Sequence, residues 1–203
     1  MLHIVFSFDG NLVKRNILMT TAMNESNTAA EKHGISGRVN QVNLMNLSSF
    51  SAPVEDRYLE DYQVGAVYEF GTIRPTEADI IEFGKRFDPQ VFHTSPQAAQ
   101  QTNYGGLIAS GWHTASMMMR LFVDHYLSHV ASLGSPGVDE LRWTKPVRPG
   151  DTLTMRVTVT ATRRSASKPD RGVLLSFIEM LNQNQEVVMS MKAVNLLLCR
   201  EKI

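Results

Sequence analysis

The chain has 203 residues, with 20 Lys and Arg against 20 Asp and Glu and a formal net charge of zero. That length suits one domain with an added segment, and the charge balance gives no electrostatic reason to expect nucleic acid as a partner. Cys199 is the only cysteine, which excludes an intrachain disulfide framework and a cysteine-built zinc site and fits a reducing, cytoplasmic setting.

Residues 1–55 differ from the rest. After Phe8 they carry scattered Asn, Ser, Thr, Gln and charge, with no sustained period of 3.6 or 2. Such a segment buries too little apolar surface to offset its ordering entropy. The expectation is a disordered leader, or residues upstream of a natural start at Met19, Met23 or Met45, followed by a folded domain over 56–203. The other reading is a partner-binding arm anchored by Leu2 to Phe8. That apolar run is short and has no basic stretch before it, so no signal peptide is expected. No run approaches the ~20 apolar residues that span a bilayer.

From Tyr58 the pattern sharpens. Residues 67–74 read as a strand entering a turn at Pro75. Thr76 with Asp79 resembles a capping box, and a short helix is expected to run to about Arg86. A loop over 88–93 follows, then a brief helix after Pro96 that carries Ala98 and Ala99. Ser110 or Gly111 begins a longer helix reaching about Val130, with Trp112, Ala115, Met119, Phe122, Tyr126 and Val130 as one stripe. Met117, Met118, Leu121 and Val123 make the remaining surface largely apolar, which predicts a buried helix wrapped by a sheet. A strand is expected over 138–147. From Leu153 to Thr162 apolar and polar residues alternate at period two, a strand with one wet face. Residues 173–181 and 187–199 flank Asn182-Gln-Asn-Gln-Glu186, a hairpin signal. Connections this short predict an antiparallel sheet and an α+β architecture.

Two segments carry the chemistry. Asp88-Pro-Gln-Val-Phe-His93 sets a carboxylate five residues before an imidazole in a loop stiffened by Pro89, which also biases Asp88 away from helical backbone. Gly105-Gly-Leu-Ile-Ala-Ser-Gly-Trp-His113 leads into the apolar helix, whose start would offer unpaired N–H groups to a developing oxyanion. An acid/base pair beside such a helix start suits proton chemistry next to a thioester carbonyl.

This arrangement resembles the MaoC-like dehydratases, or (R)-specific enoyl-CoA hydratases, over about residues 56–200. The Lys145-Pro-Val-Arg-Pro-Gly-Asp-Thr-Leu153 turn reinforces the likeness. The resemblance implies a hot-dog fold, a curved antiparallel sheet wrapped around a long central helix. It places the catalytic aspartate on Asp88, the catalytic histidine on His93 and the oxyanion glycine on Gly111. Phe92, Ser110 and Trp112 are the side chains expected to contact substrate. Phe87 stands in place of the usual glycine before the aspartate, Gln90 in place of asparagine, Val91 of proline and Ser95 of a second aspartate. The implied activity is reversible addition of water to a trans-2-enoyl-CoA, giving an (R)-3-hydroxyacyl-CoA. No cofactor is implied beyond the coenzyme A of the substrate, and the implied assembly is a homodimer or larger homo-oligomer. Two alternatives stand beside it: a hot-dog thioesterase, for which Asp124 is the only carboxylate within the helix, and a non-catalytic acyl-CoA-binding subunit.

Other candidates read more simply as structure. His125 and His129 share a helix face, but no Glu lies between them in a His-Glu-x-x-His pattern and no third ligand is evident, so no metal is expected. Met117 to Met119 are core filling. Lys145, Arg148, Arg163, Arg164 and Lys168 could meet the phosphates of coenzyme A or be ordinary strand-end charges. No Walker loop, dinucleotide Gly-x-Gly-x-x-Gly or Gly-x-Ser-x-Gly elbow occurs.

Overall fold

The computed structural model describes residues 47–200, so residues 1–46 of the expected leader lie outside the described residues. Two 3-10 turns, Val54–Asp56 and Leu59–Asp61, lead into β1 (Val67–Ile73). Next come α1 (Glu77–Phe87), the single turns α2 (Val91–Thr94) and α3 (Pro96–Ala99), and α4 (Gly111–His125). The chain ends in β2 (Gly137–Trp143), β3 (Leu153–Arg164), β4 (Arg171–Leu181) and β5 (Val187–Leu198).

The period-two alternation decides which face of the sheet is dry. Leu153, Met155, Val157 and Val159 of β3 and Leu174, Ile178 and Met180 of β4 are fully inaccessible, while Thr154, Arg156 and Thr158 between them are half-exposed. Each such side chain contributes about 1.5–3 kcal/mol on burial. All pairings are antiparallel, in the order β1-β3-β4-β5-β2. On the wetter face Arg156 donates to Glu69 at 2.6 and 2.8 Å across the β1–β3 pair, an opposite-charge match that favours this register. β2 is shorter than the expected 138–147. After Trp143 the chain leaves the sheet, and Val147 instead accepts from Ala109 N–H at 2.8 Å, beside the start of α4.

The dry face packs on α4 through Met117, Met118, Leu121 and Phe122. This corrects the expected stripe. Phe122 and Tyr126 are fully packed, but Trp112, Met119 and Val130 are 59%, 44% and 49% exposed. A helix apolar on nearly every side gives periodicity no means of choosing a face.

α4 also stops at His125 and not near residue 130, because its last carbonyls are claimed from outside. Arg57, 4% exposed, donates to the carbonyls of His125 and Tyr126 at 3.0 and 2.8 Å and to Ala52 O at 2.9 Å. The Tyr62 hydroxyl donates to Tyr126 O at 2.8 Å. A guanidinium there meets the negative end of the helix dipole, and its flat face lies 3.4 Å from the Phe50 ring centroid. Phe50 stacks in turn on Tyr68 at 4.0 Å, and Ser48 N–H donates to Val67 O at 2.6 Å. Among the described residues Ser48 and Phe50 already contact the domain, before residue 55; a single aromatic in a polar stretch produces no period to read. Among the described residues no helix is long and apolar enough to cross a membrane.

Candidate active site

α1 begins with the expected capping box. Thr76 accepts from Asp79 N–H at 3.1 Å, and the Asp79 carboxylate accepts from Thr76 N–H at 2.8 Å. The helix ends at Phe87 because Pro89 disfavours helical backbone at Asp88, which adopts φ −149°, ψ 73° and closes the helix through its N–H to Gly84 O at 2.9 Å. The 88–93 stretch is not wholly a loop, since Val91–Thr94 makes one helical turn. That turn lies hard against α1. A Cβ on Gly84 would come within 2.6 Å of the His93 carbonyl oxygen, so only glycine lets His93 approach this closely. Ser95, in place of the usual second aspartate, accepts from Ala98 N–H at 3.2 Å and caps α3.

Gly106 to Ser110 are all buried and run beside this turn. Ile108 N–H donates to Phe92 O at 3.0 Å. The Ile108 carbonyl lies 2.8 Å from His93 Nδ1. A carbonyl only accepts, so Nδ1 carries a proton and, in the neutral ring, Nε2 presents its lone pair. Nε2 sits 3.3 Å from Asp88 Oδ2; the side chains are 5% and 21% exposed. The Ser110 hydroxyl donates to Oδ2 at 2.7 Å and the Gln90 amide to Oδ1 at 2.8 Å. The Ser110 bond, then that from Gln90 and the nearby His93, hold the Asp88 carboxyl below the usual aspartate range against a smaller opposing effect of burial.

α4 starts where it was expected. Ser110 Oγ accepts from Trp112 N–H at 3.2 Å, and the Gly111 N–H has no partner among the described residues, as a first-turn donor. A Cβ on Gly111 would meet the Trp143 ring at 2.4–2.8 Å, so this glycine is also required for packing. Asp88, His93, Gly111, Phe92 and Trp112 all line one cavity of about 540 Å³, with Tyr104, Thr114 and Trp143. Five of the six residues singled out from sequence thus meet at one opening. Ser110 is the sixth and is turned to Asp88.

The remaining candidates disperse. His125 stacks on Phe70 at 5.8 Å, His129 Nε2 lies 2.9 Å from Val123 O, and no three potential ligands cluster among the described residues. Lys145 lines the cavity but is paired with Glu186. Arg148 donates to Tyr104 O at 2.6 Å. Arg163, Arg164 and Lys168 lie at the far end of β3 or beyond it, roughly 35 Å along the strand. Sequence reasoning missed Gln90, the Ile108 carbonyl and Trp143. Only Trp143 gave a signal, as one of two tryptophans in the chain. It also missed His113, which stacks on Phe83 at 4.7 Å and lines a second cavity with Asp79 and Phe87. Burial lowers the His113 pKa, opposed by Asp79, and its Nδ1 is buried without a partner among the described residues.

A five-stranded antiparallel sheet closed on one helix defines a hot-dog fold, here with a carboxylate–imidazole pair at the start of that helix. The sequence model of the family described as MaoC like domain matches residues 61–174, and the chain belongs to that family. The uncharacterized protein YdeM of Bacillus subtilis (strain 168) is 24% identical over 127 residues, 63% of this chain and 89% of YdeM. Protein MaoC of Klebsiella aerogenes is 31% identical over 103 residues, 50% of this chain and only 30% of that protein. Among solved structures, the MaoC-like dehydratase of Rhodospirillum rubrum is 39% identical with a TM-score of 0.65, over 72% of this chain and 100% of that one. The unliganded R-hydratase PhaJ1 of Pseudomonas aeruginosa shares the fold at 22% identity and a TM-score of 0.56, over 72% of this chain and 88% of that one.

Proposed function

We propose that the protein is an acyl-CoA hydratase/dehydratase that adds water reversibly across the 2,3 double bond of a trans-2-enoyl thioester. The observation that carries this reading is the pair of Asp88 Oδ2 and His93 Nε2, 3.3 Å apart, facing one cavity with the unpartnered N–H of Gly111. A water on the cavity side, in hydrogen-bond reach of both carboxylate and imidazole, is held for attack on the β carbon. His93 Nε2 takes its proton, since the Nδ1 bond to Ile108 O fixes the tautomer, while Asp88 remains ionised and stabilises the imidazolium beside it. A carboxyl held below its usual range is a poorer base than an ordinary aspartate. The imidazolium then returns the proton to the α carbon, so the atoms of one water are added and both groups are regenerated. The Gly111 N–H receives the enolate-like thioester oxygen. Acid–base work of this kind contributes roughly 10²–10⁴-fold and one oxyanion donor roughly 10²–10³-fold.

Phe92 and Trp112 supply apolar walls for the substrate, and coenzyme A enters only as part of it. The (R) hand of the product is carried over from the family likeness and from the relative described as an R-hydratase. A homodimer or larger homo-oligomer is supported by the exposed apolar row Trp112, Met119 and Val123 on α4 and by Val138 and Trp143 on the edge strand β2. A cytoplasmic setting is supported by the single, unpaired cysteine. Geometry disfavours the thioesterase alternative: Asp124 is paired with Arg120 at 2.7 Å, about 20 Å along the helix from Gly111.

The test is a panel of short, long and branched trans-2-enoyl-CoAs, read by loss of enoyl absorbance with thiol release monitored in parallel. Loss of absorbance without free thiol supports the hydratase. Thiol release supports the thioesterase, and tight binding without turnover the non-catalytic subunit.

A further inference from the structure

Resting on the hydratase reading, we infer that Ser110 is a positioning residue that ties the carboxylate of the catalytic pair to the helix carrying the oxyanion donor. Its hydroxyl acts in both directions, donating to Asp88 Oδ2 at 2.7 Å and accepting from Trp112 N–H at 3.2 Å. Ser110 is 1% exposed, so water does not compete for either bond. A hydroxyl has one proton to give. Here it is spent on Asp88 and none is left for a substrate, which departs from the contact expected of Ser110. The residues joined are 22 apart in sequence and belong to different elements, the end of α1 and the start of α4. Gln90 holds the other carboxylate oxygen from two residues away, so it travels with Asp88 and cannot register it against α4. The serine bond does that.

The bond also sets when the carboxylate is ionised. Among charged and titratable groups nearby, His93 of α2 touches Asp88, Tyr104 lines the same cavity, and His113 of α4 interacts electrostatically with His93. Arg86 of α1 lies over the Phe87 ring at 4.9 Å, and Lys145 is held by Glu186. The Ser110 donation is the first cause of the low Asp88 pKa. Without it the pair binds a proton more readily, so activity is lost at higher pH on acidification.

The test uses the full chain with Ser110→Gly, because glycine caps a helix nearly as well as serine, and Ser110→Thr, which keeps the hydroxyl. Two readouts are taken: the pH profile of trans-2-enoyl-CoA hydration, and a ¹³C NMR titration of the Asp88 carboxyl, which needs no turnover. In the glycine variant kcat is expected to fall roughly ten- to hundred-fold, the loss of one hydrogen bond to a charged group, with KM little changed. Its acid limb and the Asp88 titration both move to higher pH, and threonine restores both. Should the glycine variant not fold, Ser110→Cys, a weak donor of similar size, is expected to show the same titration shift. An unchanged Asp88 titration in a folded variant overturns the role. If the unmodified protein hydrates no enoyl-CoA, the hydratase reading fails alone and the titration still decides Ser110.

Discussion

Gly111→Ala is expected to damage the protein through Trp143, before any effect on the oxyanion is considered. A Cβ at this position would lie 2.4 Å from Trp143 Cε2, 2.6 Å from Cδ2 and 2.8 Å from Nε1. Carbon–carbon contacts are comfortable near 3.5 Å, so the indole must retreat by about an ångström. It is a rigid ring, 45% exposed, and set edge-on to Trp112 at 5.3 Å. It therefore has room to swing outwards but loses both contacts on doing so. Overpacking of this kind costs about 1–3 kcal/mol. The N–H of residue 111 shifts with the strain, and misplacement of about 1 Å costs about 10²-fold in turnover. The assay is a double-mutant cycle with Trp143→Ala, following urea unfolding by circular dichroism and hydration of an enoyl-CoA. Removing the indole should make the alanine nearly harmless, so that the double variant is more stable than the sum of the singles predicts by at least about 1 kcal/mol. Additivity within about 0.5 kcal/mol would show that the two residues do not oppose each other and refute the packing account.

Arg57→Met should lower the unfolding free energy by about 1–3 kcal/mol, because it takes the donor from the part-buried His125 and Ala52 carbonyls and one of the two donors from the buried Tyr126 carbonyl; a urea midpoint within error of the unmodified protein would contradict this. His113 has a folded pKa below its ordinary 6.5, so the unfolded chain binds the extra proton first and stability falls as the pH drops below about 6.5 towards the folded value. His113→Phe keeps the stacking on Phe83 and should flatten that part of the pH–stability curve, whereas an unchanged slope would move the effect to another group. Sedimentation at micromolar concentration is expected to give a dimer or larger species, and a lone 22.7 kDa species would remove the proposed interface.

What the sequence revealed followed the kind of signal each feature leaves. The alternation in residues 153–162, the Thr76–Asp79 cap and the Pro89 stop are local, and the structure reproduces them as β3, the start of α1 and its end. The position of Asp88, His93 and Gly111 at one cavity was legible because three short motifs converge on it. The Arg57 plug was not. It depends on carbonyls 68 and 69 residues away, and a lone arginine in a polar stretch gives no sign of burial. The exposed face of α4 was hidden for the opposite reason, an excess of apolar residues on every side. The serine bond to Asp88 joins two motifs that each looked complete alone, so Ser110 read as a substrate contact.

The most direct test of the central claim is a cycle of Asp88→Asn, His93→Ala and the double variant on a short trans-2-enoyl-CoA. The amide introduced by Asp88→Asn would preserve shape but carry no charge to hold an imidazolium, with one acceptor oxygen left for the two bonds from Ser110 and Gln90, and loss of the imidazole removes the proton acceptor. Each folded single variant is predicted to lose at least about 10²-fold in hydration rate, and the double variant to be little worse than the poorer single, because groups that act as a unit are strongly non-additive. Two folded single variants that turn over at the unmodified rate would contradict the account.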